Sequence, residues 1–374
     1  MKFLLSGGGT AGHIYPALTV ARILEQGGRD EVVFVGAPGS LEARLACEAG
    51  IRFIGVPATG FDRGRPSTLV TSGIRVLASV VRALKVLRAE RPDVVVGFGG
   101  FVSLPLGLAA AMSRTPLVIH EQNSVPGLAN RILSRAAEAV AVTYPGSIKH
   151  LARPERVVVT GNPVRDQIRS ADRVRGRAAL GLDPGSTVLL VFGGSRGARH
   201  LNKALVRIWP SLAEVDGLQV VHVAGRMEAA SVAEAMAGVL ATGDGRYQLH
   251  EYLDDMGSAI AAADVVVSRA GATSLAEITA IGRASVLVPY PYATDDHQTL
   301  NARAVAAAGA AIVVSDADLD GEAFLAAVIR LVEDPSLREQ MAAAAAKLGR
   351  PAAGEDVAAL VRQSAKRGRG KESV

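Results

Sequence analysis

Cysteine is almost absent from this chain. Its single thiol, Cys47, excludes an internal disulfide and any site built from several cysteines, which fits a reducing cytoplasm; Cys47 itself reads as a helix-packing residue. Aromatic residues are scarce, 4% of the total with one Trp. No stripe of alternating basic and aromatic residues occurs, so the stacking platform of single-strand binders is missing and nucleic acid is not an expected partner. Long hydrophobic runs are missing too: the longest, Ala304 to Val314, is well short of the about 20 residues that cross a bilayer. The apolar start Met1–Ser6 is cut by glycines before it reaches the length of a secretion signal and reads as a buried strand. The acidic pairs Asp254-Asp255 and Asp295-Asp296 lack any accompanying His or Cys ligand spacing and suit helix N-caps, so no dedicated metal site is expected.

What the chain has in plenty is glycine, 40 of 374 residues, within a 49% hydrophobic composition. The length exceeds what one core usually organises and suits two domains. Short Val/Ile/Leu runs alternate with amphipathic helical patterns, the mark of parallel sheets covered on both faces. The first half predicts strands at Lys2–Ser6, Val32–Val35, Arg52–Val56, Val94–Gly97, Leu117–His120, Ala139–Thr143 and Val157–Thr160. The second predicts them at Val188–Phe192, Leu218–Ala224, Arg246–Glu251, Val265–Ser268, Ser285–Val288 and Ala311–Val314. Gly161-Asn162-Pro163-Val164-Arg165 and the Arg-rich stretch after it suit a hinge. The expected organisation is an α/β chain of two Rossmann-like, doubly wound domains with a cleft between them, over 1–163 and 164–349. Residues 350–374 read as a flexible basic tail, and the last helix before it is free to pack back on the first domain. A net charge of +5 favours an anionic partner.

Glycine turns carry the chemistry. Gly7-x-Gly9-x-x-Gly12 leaves the first strand and opens a helix, as the dinucleotide fingerprint does. The second strand, however, runs into Gly36-Ala37-Pro38-Gly39 with no acid for a ribose hydroxyl, so a nicotinamide or flavin site weakens while a phosphate or pyrophosphate site survives. Phe192-Gly193-Gly194-Ser195-Arg196-Gly197 repeats the turn in the second half. Gly97-Phe98-Gly99-Gly100-Phe101 adds another beside the first; with Gly9, its Gly99, Gly100 and Phe101 suit either a second phosphate group or close helix–strand packing. His13, expected just ahead of the first helix with Pro16 in that helix's first turn, suits a general base for a hydroxyl nucleophile, a phosphate contact or a cap on the loop. His120-Glu121-Gln122-Asn123 ends a strand, where α/β ligands bind, with Asn123 expected to face the ligand. Ser268 to Glu277 is strand, turn and helix start, its N–H groups aimed at an anion, with Glu277 placed either to accept from sugar hydroxyls or to complement the helix dipole. Ser67–Arg91 reads as a helix with Val70, Ile74, Leu77, Val81 and Leu84 on one stripe. Arg75, Arg82 and Lys85 flank that stripe, either as solvated residues of a helix whose stripe faces the core or, with Phe61, Arg63 and Arg65, as a patch resting on anionic lipid.

Gly7 to His13, His120 to Asn123, Gly161 to Arg165, Gly193 to Gly197, Ser268 to Glu277 and Asp296-His297-Gln298 follow one another in an order that resembles the MurG family of bacterial cell-wall glycosyltransferases. The resemblance implies a GT-B fold and an inverting, metal-independent N-acetylglucosaminyltransferase without a cofactor. Such an enzyme moves GlcNAc from UDP-GlcNAc to the C4 hydroxyl of undecaprenyl-pyrophosphoryl-MurNAc-pentapeptide, converting lipid I to lipid II in peptidoglycan synthesis. It implies peripheral attachment to the anionic cytoplasmic face of the cell membrane. On matching positions, His13 is the base candidate. Ser195 with Ala272 and Thr273 contacts the donor pyrophosphate, Glu277 the ribose, and Leu253 the uracil through its backbone. Thr10, Ala11, Gly12, Asn123, Arg165, Ser274, Leu275, Ala276 and Gln298 complete the donor surroundings. Two positions depart from the family: Ala11 stands where a glycine is frequent, and Arg196 where Gln is common. A UDP-sugar epimerase, another lipid glycosyltransferase of this fold and a non-catalytic nucleotide-binding module are the other readings of these motifs.

Overall fold

The computed structural model describes residues 1–28, 30–57, 69–194 and 198–372. The chain forms two compact units: Met1–Val164 together with Pro351–Val374, and Arg165–Arg350. In the first, the described strands β1 (Lys2–Ser6), β2 (Glu31–Gly36), β3 (Arg52–Gly55), β4 (Val94–Gly97), β5 (Leu117–Glu121), β6 (Ala139–Val142) and β7 (Val157–Val159) form one parallel sheet in the order 3-2-1-4-5-6-7. Side chains alternate between its faces with the period of two that a strand imposes. Phe3, Leu5, Phe34 and Val96 join the core on one face; Leu4, Val33, Val95 and Ile119 join the core on the other.

Where a flexible basic tail was expected, Ala353–Glu372 is a helix. Val357, Ala358, Val361 and Ala365 are buried against the first helix, Ala11–Glu25, and Gly354 comes close to Ile23 and Thr19. The apolar positions recur at helical spacing, and small residues let the two helices approach. A run of cations at the far end hides this stripe in the sequence. Arg362 secures it, its Nε 3.2 Å from Asp30 Oδ2, while Asp30 Oδ1 holds the N-terminal ammonium at 2.9 Å.

The helix Leu69–Glu90 also differs from expectation. Val80, Ala83 and Leu87 enter the core, whereas Leu77 and Val81 are 64% and 47% exposed. Apolar residues occupy more than one side of this helix, and the sheet takes the side carrying the small Ala83. Phe61, Arg63 and Arg65 and the side chains of Val70 and Ile74 lie outside the described residues. Cys47 is exposed on the helix Leu41–Glu48 rather than packed, since that short helix buries only Glu42 and Ala46.

In the second unit, β8 (Thr187–Phe192), β9 (Leu218–Val223), β10 (Tyr247–His250), β11 (Val265–Ser268), β12 (Ala284–Leu287) and β13 (Ala311–Val313) form a parallel sheet in the order 10-9-8-11-12-13. In each sheet the strand order reverses once at the centre, between β1 and β4 and between β8 and β11. Such switch points open a crevice at the carboxyl ends of the strands, where α/β proteins place their ligands. The register pairs Ser6 with Gly97 and Phe192 with Ser268, so the glycine turns that follow leave neighbouring strands at one edge of each sheet.

Candidate active site

At the first switch point two glycine turns interlock. A Cβ on Gly100 would lie 2.3 Å from the Gly8 carbonyl oxygen, and Gly100 has φ +78°, so only glycine fits. A Cβ on Gly9 would lie 3.3 Å from the Phe101 ring, and one on Gly99 3.1 Å from His13 Cδ2. Gly9, Gly99, Gly100, Phe101 and His13 thus gather on one rim, with Thr10 exposed and Ala11 and Gly12 half-buried at the helix start. His13 lies in the first turn of the helix Ala11–Glu25 rather than ahead of it, because Pro16 sits inside the helix. Its Nδ1 is 3.0 Å from the Gly8 carbonyl oxygen and 3.2 Å from Thr10 Oγ1. A carbonyl only accepts, so the neutral ring carries its hydrogen on Nδ1 and keeps a lone pair on Nε2.

Three of the four polar residues 120–123 are internal framework. His120 is fully buried; its Nε2 donates to the Gly161 carbonyl at 2.9 Å, and Gln122 Nε2 sits 3.1 Å from its Nδ1. Burial lowers its pKa to about 4, against the Gly161 bond that raises it, so the ring stays neutral. Glu121, one of the four polar groups expected at this strand end, is buried and organises the loop. It accepts from Asn123 N at 2.9 Å, Gly127 N at 3.1 Å and Asn130 Nδ2 at 2.9 Å. Burial pushes its carboxyl up while those donors oppose the shift. Only Asn123 remains half-buried. The signal for Glu121 was available: a carboxylate at a strand end followed by Asn and Gly suits a loop tied by backbone N–H groups.

In the second unit, Gly194 takes φ +92° after β8, and Ser195 to Gly197 lie outside the described residues. On the adjacent strand, Gly271 starts the helix Ala272–Ile281 without any side-chain cap. A helix start presents N–H groups and a partial positive charge. The Leu275 side chain belongs to a core cluster and its N–H donates to the Gly271 carbonyl, because the fourth residue of a helix turns inward on the same side as Ala272. Thr273, Ser274 and Ala276 are half-buried. Glu277 is buried and paired; Arg165 Nε donates to its Oε1 at 3.1 Å, with Nη2 at 3.0 Å. Burial raises the Glu277 carboxyl, and Arg165 pulls it back down. Gln298, in the first turn of the helix His297–Ala307, accepts from Tyr290 N at 3.0 Å through Oε1. Leu253 lies half-buried just before Asp254-Asp255. Asp255 caps the next helix, accepting from Ser258 N at 3.0 Å, and Asp296 accepts from Thr299 Oγ1 at 2.6 Å. Among the described residues no group of three or more His, Cys, Asp or Glu side chains is arranged around a metal position.

Residues 3–142 match the Glycosyltransferase family 28 N-terminal domain, and residues 188–357 match the Glycosyltransferase family 28 C-terminal domain. Over 97% of this chain and 99% of the other, the fold superposes with a TM-score of 0.77 on the crystal structure of MurG from Acinetobacter baumannii, at 28% identity. The chain is 40% identical over 370 residues, 98% of its length, to the UDP-N-acetylglucosamine--N-acetylmuramyl-(pentapeptide) pyrophosphoryl-undecaprenol N-acetylglucosamine transferase of Halothermothrix orenii, all of which it covers. The chain belongs to the MurG family. Its two doubly wound sheets are the GT-B architecture of MurG proteins. The UDP-GlcNAc 2-epimerase of Neisseria meningitidis, bound to UDP-GlcNAc, superposes with a TM-score of 0.67 over 97% of this chain and 100% of its own. At 16% identity that likeness shows the fold alone.

Proposed function

We propose that this MurG-family chain transfers GlcNAc from UDP-GlcNAc to the C4 hydroxyl of undecaprenyl-pyrophosphoryl-MurNAc-pentapeptide, the step from lipid I to lipid II in peptidoglycan synthesis. The observation that carries the reading is the division of labour between the two switch points: a rim of interlocked glycine turns around His13 in one unit, an uncapped helix start beside a buried Glu277–Arg165 pair in the other. The donor pyrophosphate rests on the N–H groups of Ala272, Thr273 and Ser274 and on the turn that contains Ser195, with Leu253 at the uracil, Glu277 at the ribose, and Gln298 and Asn123 at the sugar. The acceptor lies along Gly9, Gly99, Gly100 and Phe101.

His13 Nε2 takes the proton of the C4 hydroxyl as its oxygen attacks the anomeric carbon, and Gly8 O, holding Nδ1–H, steadies the imidazolium that forms. The bond from the anomeric carbon to the UDP oxygen breaks on the opposite face, so the centre inverts. The charge that grows on UDP is met by fixed N–H dipoles and by Arg165. No covalent intermediate and no cofactor enters this scheme, and those dipoles take the place of a metal.

Attachment is peripheral, to the anionic cytoplasmic face of the cell membrane. Arg75, Arg82 and Lys85 are exposed on the helix Leu69–Glu90, as are Leu77 and Val81, which supports a surface where cations meet lipid phosphates and aliphatics enter the headgroup layer. No described helix is long and apolar enough to cross a membrane. A transfer assay with labelled UDP-GlcNAc and a lipid-pyrophosphoryl muramyl acceptor tests the function: label should pass to lipid only when the acceptor is present. Conversion of UDP-GlcNAc to another sugar nucleotide without acceptor would overturn it in favour of epimerase chemistry.

A further inference from the structure

We infer that His200 is a positioning residue for the nucleotide-sugar, a proton-controlled clamp that sets the positive charge beside the start of the helix Ala272–Ile281 and, through that charge, the affinity for the donor diphosphate. The inference rests on the reading that this helix start receives the diphosphate.

His200 is the second residue of the helix Arg199–Ala213, which follows the Gly193-Gly194 turn. Both ring nitrogens meet carboxylates of the short turn Asp316–Asp320: Nδ1 is 2.8 Å from Asp316 Oδ2 and Nε2 is 3.1 Å from Asp320 Oδ2. A neutral imidazole has one N–H and cannot donate to both, so this double contact requires the imidazolium. Asp316 Oδ1 in turn lies 2.5 Å from Arg269 Nη1. Arg269 is buried between β11 and Gly271, and it also holds the Val288 and Pro289 carbonyls at 3.3 and 3.2 Å. Asp320 is also paired with Arg207.

Three cations, Arg207, Arg269 and protonated His200, therefore face two carboxylates, and the cluster carries one net positive charge. Loss of the His200 proton makes it neutral and removes one of the two links to Asp316–Asp320. The other charges on elements packed against this helix are Glu228, paired with Arg199, Glu234, Asp318, bonded by Ser315, and Glu322, Arg330 and Glu333, with Lys203 on the helix itself. The Asp316 bond raises the imidazole above its ordinary 6.5 against burial, which lowers it. The positive state is thus complete below the ordinary value and is lost as pH rises through the raised one.

The sugar-capped diphosphate of UDP-GlcNAc has no group that titrates near neutrality, so its binding reports the protein's charge. Calorimetric Kd values for UDP-GlcNAc between about pH 5.5 and 8.5 should rise about threefold as His200 loses its proton. His200→Gln should sit at the weak level throughout and His200→Lys at the tight level, with kcat at saturating donor unchanged in both. A titration of the His200 ring by NMR in the wild-type chain should give a pKa above the ordinary value, a readout that needs no variant. An NMR pKa at or below it, or the same pH dependence surviving in His200→Gln, would overturn the inference. Glu277→Ala separates the two claims. If it weakens the donor while His200→Gln keeps the pH response, the clamp alone fails; if Glu277→Ala leaves donor binding intact, the reading that the helix Ala272–Ile281 receives the donor has failed as well.

Discussion

The two units of this chain share a topology and differ in what they put at its centre. Each reverses its strand order once, and each sends glycine turns off the two strands at that point. In the first unit the turns press together until one backbone blocks any side chain on the other, and the group held there is an imidazole anchored by a carbonyl. In the second unit the turn opens an uncapped helix, and the groups nearby are ion pairs, Arg165 with Glu277 and Arg269 with Asp316. One crevice holds an imidazole on a carbonyl, and the other holds ion pairs beside a helix start. The comparison teaches that the scaffold supplies the place and the side chains grafted onto it supply the chemistry.

Removing the imidazole should break the comparison most severely. His13→Ala should lower kcat about a thousandfold while the donor KM stays within about twofold, as steady-state kinetics would show; a matched loss of donor affinity would mean that the first unit also holds the nucleotide. Reversing charge at Arg75, Arg82 and Lys85 together should weaken sedimentation with anionic vesicles about a hundredfold, with activity on a detergent-dispersed acceptor retained. Unchanged sedimentation would move membrane contact away from the helix Leu69–Glu90. Glu277→Ala, in the other unit, should raise the donor KM about tenfold with kcat little altered, since a buried carboxylate that receives a hydroxyl is lost and Arg165 loses its bond to it. A fall in kcat alone would assign Glu277 to the reaction rather than to binding.

Much of this was legible in the residues. Each described strand lies within one residue of its predicted ends, because parallel strands buried on both faces read as short Val/Ile/Leu runs closed by glycine or a polar turn. The glycine turns were legible for the same reason: φ values such as those of Gly9, Gly99, Gly100 and Gly194 leave few other choices. Helices were harder to read where composition masked their pattern. The stripe Val357, Ala358, Val361 and Ala365 was concealed by the cations that follow it, and the stripe assigned to Leu69–Glu90 was rotated, because apolar residues on several sides do not say which side the sheet will cover. Within the candidate site, the burial of Glu121 and of the Leu275 side chain was not legible. A buried carboxylate ties the loop and a leucine at a helix start fills the core, since burial depends on tertiary neighbours that local spacing does not specify.

The central claim is that the donor's diphosphate is held by the second unit and not by the glycine turns around His13. Diffraction from crystals soaked in uridine diphosphate tests it most directly. The account predicts the two phosphates against the N–H groups of Ala272, Thr273 and Ser274, with the ribose hydroxyls on Glu277; phosphates seated instead on Gly7 to Gly9 beside His13 would contradict it.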